Sequence, residues 1–103
     1  MILLCTVLLS LPCKGTHAEA LVVCLDVAAA AQDAGESPEL LVALAYMESR
    51  MDRNAVSSRG AVGPLQVIPR YWPGNPITAG MTAWKHWRRK GGSDRAGIAM
   101  YNA

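Results

Sequence analysis

The chain has 103 residues, a length that accommodates one small domain. Hydrophobic residues at 51% and charged residues at 17% exclude a disordered polyelectrolyte. A formal charge of +2 is too small to neutralise a phosphate backbone, so no nucleic-acid partner is expected, and a weak preference for anionic surfaces is the most it supports.

The first element stands apart from the rest. Ile2 to Leu11 is almost entirely apolar and too short to span a bilayer, and it is followed by Pro12 and the small-x-small pattern Ala18-Glu19-Ala20. Residues 1–20 read as a secretory signal peptide, although only the terminal amine supplies positive charge ahead of the apolar run. Cys13 is a poor lipid-attachment site because Pro12 precedes it. Residues 21–103 then form the exported domain, with no stable membrane span. The charge stays at +2, since Lys14 and Glu19 depart together. Cys5 and Cys13 would leave with the leader, so Cys24 is expected as a lone buried thiol with no intrachain disulfide.

Helical spacing runs through what remains. A helix is predicted from about Glu19 to Ala34, with Leu21, Cys24, Leu25, Ala28 and Ala31 on one face and Gly35 ending it. A second starts on the N-cap Ser37 with Pro38 in the first turn, carries Leu40, Leu44, Met47 and Met51 along one stripe, and stops near Arg53 and Asn54. Residues 55–76, rich in Gly and Pro, read as a loop with one short turn around Gln66, and long loops in small domains are commonly functional. A third helix is predicted from about Ala79 to Lys90, broken by Gly91-Gly92. Ser93 or Asp94 caps a last one through Ile98 and Tyr101.

Glu48 is the acid placed to do chemistry. Its helix neighbours at three and four residues are Leu44, Ala45, Met51 and Asp52, so no basic side chain lies beside it and apolar surroundings should raise its pKa. Asp52 lies about 6 Å further along the same helix. The two groups point outward from adjacent turns and cannot flank a sugar ring as the usual glycosidase pair does. Asp52 and Asp94 are better read as a local charge partner and caps.

Ala43-Leu-Ala-Tyr-Met-Glu48-Ser49-Arg50, the turn Gly63-Pro-Leu-Gln66 and the terminal Tyr101-Asn102-Ala103, in that order, resemble the soluble lytic transglycosylase family, relatives of goose-type lysozyme. The resemblance implies an all-α, lysozyme-like fold and cleavage of the bond between N-acetylmuramic acid and N-acetylglucosamine in peptidoglycan glycan strands. Glu48 would act first as acid and then as base, leaving a 1,6-anhydro end, and no cofactor or metal is implied. Carried over residue by residue, Ser49 would orient the acid and Ser57, with Gly60 and Ala61, would shape the cleft. Gly63 would permit close backbone approach, Leu65 would supply an apolar wall, Gln66 an amide for a sugar, and Tyr101 and Asn102 substrate contacts. Pro64-Leu65 replaces the family's Leu-Met, which stiffens the turn.

The resemblance spans residues 35–103, and the family continues beyond that point with helices that complete the cleft, so the domain is expected to be truncated. A hydrolytic muramidase and a non-catalytic wall-binding or assembly module are the alternatives. The location implied is periplasmic or cell-envelope, with secretion, conjugation or phage assembly machinery as possible partners.

Trp84-Lys-His-Trp-Arg-Arg-Lys90 offers a rival reading as a lipid- or nucleic-acid-binding face. Trp84 and Trp87 lie three apart and are more simply placed on the buried side of the helix. His86 has no His, Cys or acidic neighbour at metal-ligand spacing.

Overall fold

The computed structural model describes residues 1–102. Among them are five helices, α1 (Ile2–Leu8), α2 (His17–Asp33), α3 (Pro38–Ser49), α4 (Pro76–Gly91) and α5 (Asp94–Asn102), and no strand beyond isolated bridges in the α3–α4 loop. The fold is all-α, as the helical periodicity requires.

Local chemistry sets each boundary. Helix α2 opens two residues earlier than its apolar stripe indicates, because Thr16 and Glu19 form a reciprocal capping box. It closes with Gly35 N–H donating to Gln32 O and Glu36 N–H to Ala31 O, the paired bonds of a Schellman end. Ser37 caps α3 through the Leu40 N–H, with Pro38 in the first turn as predicted. Helix α4 begins at Pro76, three residues ahead of the expected start, because Asn75 Oδ1 accepts from the N–H groups of Ile77 and Thr78. Its last turn carries Arg88, Arg89 and Lys90, where cations favour the negative end of the helix dipole. Arg88 also pairs with Asp94 at 2.7 Å, and Ser93 caps α5 by accepting from the Ala96 N–H.

One core joins the helices. Val23 and Val27 from α2, Leu41 and Leu44 from α3, and Trp84 from α4 are fully or almost fully buried together. Trp84 keeps its indole N–H satisfied by donating to Glu36 Oε1 at 2.8 Å, which ties α4 to the end of α2. Helix α5 lies close on α4 because Gly97 has no side chain: a Cβ there would stand 2.9 Å from Arg88 Cα.

The N-terminal segment differs from the sequence reading. Helix α1 packs against α2, and Cys5 is bonded to Cys24, so Cys24 is not the lone thiol expected. The expectation set residues 1–20 aside; with them in the fold the two Cα atoms are 5.8 Å apart, within disulfide range. Cys13 is the free cysteine among the described residues. The Tyr46 hydroxyl donates to Pro12 O and the Lys14 N–H to Arg50 O, two further ties to the body. The outer face of α1 nevertheless leaves Ile2, Leu3 and Val7 in solvent, Leu3 at 77% exposure. No helix among the described residues is long and apolar enough to cross a membrane.

Candidate active site

Helix α3 delivers Glu48 one residue before its C-terminus. The chain then reverses through two consecutive left-handed residues, Arg50 at φ 53° and Met51 at φ 63°, a conformation that costs a side-chain-bearing residue about 1 kcal/mol or more. The reversal sinks Met51 into the core. Two non-glycine residues in this region immediately after the candidate acid fit the habit of functional sites to hold local strain.

Glu48 is half-buried, and desolvation raises its pKa above the ordinary carboxylate range. Among the described residues no group bonds to its carboxyl and no cation pairs with it. Six of the seven other acids are engaged elsewhere, and Asp33 is exposed on α2 without a partner among the described residues. Asp26 pairs with Arg53, Glu36 accepts from Trp84, Asp52 accepts from the Asn54 N–H, Asp94 pairs with Arg88, and Glu19 and Glu39 bond to the cap residues Thr16 and Ser37. Asp52 thus takes the capping role expected of it, and Asp94 is a charge partner, with Ser93 holding the cap.

The loop is built by hydrogen bonds that specific residues make available. Ser57 Oγ accepts from the N–H groups of Arg59 and Ala61, folding residues 57–61 into a tight turn. Gly63 sits at φ 78° with its N–H on Ala55 O, and a Cβ there would come within 2.8 Å of Pro76 Cβ. Glycine is therefore required both for the conformation and for the contact with the start of α4. Gln66, left-handed at φ 51°, donates its side-chain amide to Ala55 O at 3.1 Å and Gly63 O at 2.9 Å. Both amide hydrogens thereby serve the loop, and what Gln66 offers a ligand is the carbonyl oxygen, an acceptor.

Tyr101 joins this loop to the last helix. Its hydroxyl donates to Leu65 O at 2.6 Å, and its pKa is driven up first by burial and then by the negative charge of Glu48. The phenol therefore lies in the field of Glu48, and its hydroxyl joins α5 to the Gly63–Gln66 turn. Asn102 follows it, exposed, at the end of α5. Two residues are placed differently from the sequence expectation. The Ser49 hydroxyl donates to Ala45 O at 3.0 Å and is tied to its own helix rather than to Glu48. Leu65 is fully buried against Gly80 of α4, so it supports the turn from beneath and presents no wall to solvent.

A cavity of about 430 Å³ lies elsewhere, between the start of α2 and the chain after α3, with Lys14, Glu19, Met51 and Arg53 among its lining. It depends on residues 14–19 and does not include Glu48. Size is a poorer guide here than chemistry. A smaller groove of about 190 Å³ runs from Gln66 and Tyr101 to Trp72 and Trp87. The aromatic wall of that groove was not legible in the sequence: Trp87 was expected in the core and Trp72 passed as a loop residue. The pair Tyr71-Trp72 between Pro69 and Pro73 was the available signal, since bulky aromatics in a rigid loop have little core to enter.

Residues 26–74 match the family model described as Transglycosylase SLT domain. That stretch is similar to the transglycosylase domain of the family, and it holds Glu48, the Ser57 turn and Gly63 to Gln66, whereas α4, α5 and Tyr101-Asn102 lie outside the match. The match points to an activity of the lytic transglycosylase type on peptidoglycan, the substrate of that family in the cell envelope. Neither the curated proteins nor the solved structures contain a match to the chain.

Proposed function

We propose that the protein is a peptidoglycan lytic transglycosylase that cleaves the β-1,4 bond between N-acetylmuramic acid and N-acetylglucosamine, with Glu48 as its only catalytic carboxyl. The observation that carries this reading is the isolation of Glu48: half-buried, without a cation, its pKa raised, while six of the seven other acids are committed to caps and pairs. A carboxyl in that state remains protonated above the ordinary carboxylate range and can donate to the glycosidic oxygen. Once the leaving sugar departs, the same group, now a carboxylate, accepts the proton of the muramic C6 hydroxyl as that oxygen bonds to C1. A 1,6-anhydro ring results, and Glu48 regains its proton. No second carboxylate is needed, because the substrate's acetamido oxygen steadies the positive charge at C1.

Gln66, Tyr101 and Asn102 are proposed to contact the glycan and Ser57 and Gly63 to hold the loop that presents Gln66. Ser49 and Leu65 act in this reading as supports of the helix end and the turn. Residues 1–20 are proposed as the leader that takes the domain to the periplasm or cell envelope. The apolar outer face of α1, left in solvent by the fold, supports that role. Cleavage after Ala20 and the Cys5–Cys24 bond are alternatives for one molecule, and the intact mass of the envelope form decides between them.

Digestion of purified sacculi, with mass spectrometry of the released muropeptides, tests the reaction. Anhydro ends from the parent, with a loss of at least about 100-fold in Glu48→Gln, are expected. Reducing muramic ends would make the protein a muramidase. No release by a folded parent would reduce it to a wall-binding or assembly module.

A further inference from the structure

The small formal charge of +2 conceals a division between the two halves of the chain. Residues 1–52, which contain α1 to α3, carry two cations, Lys14 and Arg50, against seven acids, a net of −5. Residues 53–103, which contain α4 and α5, carry eight cations against Asp94 alone, a net of +7. Helix α2 packs mainly on α3 and α4 on α5, so the charges are divided between packed pairs of helices rather than mixed over the surface.

The basic half concentrates its free cations where α4 turns into α5. Arg88 is committed to Asp94, but Arg89, Lys90 and Arg95 are exposed and make no ion pair among the described residues. Helix α5 can fold back this closely because Gly91 has no side chain: a Cβ there would stand 2.8 Å from Gly97 N, and Arg95 is thereby brought to the last turn of α4. Aromatic rings accompany the charges. Trp87, expected on the buried side, is half-exposed, with Lys90 Nζ 5.7 Å from its ring centroid. Tyr71 is 63% exposed and carries Arg70 at 5.6 Å. The His86 ring, 5.5 Å from Trp72 and 4.7 Å from Trp87, connects the Tyr71 loop to this end of α4.

We propose that the α4–α5 turn, with Trp87 and Tyr71 beside it, is a peripheral docking face for an anionic phospholipid surface. A polyanion in water is met by cations alone, and a protein core is met by apolar groups alone. Exposed rings with cations laid over them suit the boundary between lipid phosphates and acyl chains, where Arg89, Lys90 and Arg95 can meet phosphate while Trp87 and Tyr71 sit at headgroup depth. Docking of this kind needs no spanning segment. The cations lie about 20 Å along α4 from Pro76, which contacts Gly63, so this face is separate from the turn that presents Gln66 and does not depend on the reaction proposed for Glu48. The acidic half, repelled by the same surface, orients the domain with α4 and α5 toward the lipid.

The test is co-sedimentation of the chain, residues 1–20 present, with vesicles of phosphatidylglycerol and phosphatidylcholine and with vesicles of phosphatidylcholine alone. Binding should require phosphatidylglycerol and fall with salt, as the screening length shrinks from about 10 Å at 0.1 M to about 3 Å at 1 M. Arg89→Gln, Lys90→Gln and Arg95→Gln should each weaken it roughly fivefold and together roughly 100-fold, whereas the combined Arg89→Lys and Arg95→Lys variant should keep it. Lys14→Gln removes the same charge from the acidic half and should change binding by less than about twofold. Tryptophan emission should shift to the blue on the anionic vesicles, and Trp87→Phe, which keeps an apolar ring, should lose most of that shift. Equal binding to phosphatidylcholine, or a loss in Lys14→Gln as large as in Arg89→Gln, would assign the contact to the apolar face of α1 and overturn the proposal. So would full binding by the folded triple glutamine variant, equally tight binding of a short DNA duplex, or self-association at low salt with no vesicle binding, which would give the face to a second copy of the chain.

Discussion

The segment from Met1 to Thr16 and the loop from Arg50 to Asn75 are both attached to the helical body, but by different means. The loop is held by its own sequence: Ser57 folds its tip, Gly63 makes contact with Pro76, and Gln66 ties two carbonyls together. The N-terminal segment is held by one disulfide, the buried Cys5 and Leu9 side chains and a few backbone contacts, and it leaves an apolar face in water. Integration of the first kind cannot be undone without disturbing the site. Attachment of the second kind is separable.

Reducing the Cys5–Cys24 bond is the sharpest way to test that separability. For residues 19 apart in sequence, closing the loop in the unfolded chain is worth about 3 kcal/mol, so denaturant unfolding of the chain with residues 1–20 present should lose about that much on reduction. Amide exchange should rise through α1 while the Ser57, Gly63 and Gln66 amides keep their protection. Equal loss of protection in the loop would mean that the two segments are not independent.

Gly63→Ala attacks the other side of the comparison. The added Cβ must adopt a left-handed φ and press on Pro76, for a loss of about 2 kcal/mol in chemical denaturation. Sacculus digestion should fall more than stability does, since the same glycine positions Gln66. A variant that is destabilised yet fully active would separate the turn from function.

The smallest effect expected is electrostatic. The pKa of Glu48 is higher in the fold than in the unfolded chain, so below the ordinary carboxylate range both states are protonated and the group contributes nothing. As pH rises through that range the unfolded chain ionises first, and the fold is increasingly disfavoured until pH passes the raised value, above which the penalty is constant. Glu48→Gln should therefore unfold at a slightly higher temperature than the parent near neutral pH, and at the same temperature in acid. Partial exposure keeps the difference small. A Gln variant less stable than the parent at neutral pH would mean that the Glu48 carboxylate is held by a favourable contact. Activity should decline on the alkaline side as the same group loses its proton.

Much of this was legible in the chain itself. Helix α3 could be read because Ser37, Pro38 and a spacing of three and four coincide, and the acid stood out because no cation lies three or four residues from it. The Gly63-x-x-Gln66 turn was visible because glycine and proline mark loops by their backbone preferences alone. Such signals are local: they depend on neighbours within a few residues, and the residues carry them wherever the chain goes.

Contacts across the chain were decided elsewhere. Nothing near Cys24 indicates that Cys5 is its partner, since pairing depends on how α1 lies on α2. Leu65 could be expected as a wall and Trp87 as core, but their exposure follows from which helix covers them: α4 buries Leu65 through Gly80, while Trp87 falls at the rim beside His86. The hydrogens of Gln66 and the hydroxyl of Tyr101 are likewise assigned by carbonyls 11 and 36 residues away. Composition and period determined which segments are helices. Tertiary packing decided which polar groups remain free to meet a substrate, because a hydrogen-bonding group can be satisfied by any partner the fold brings within reach.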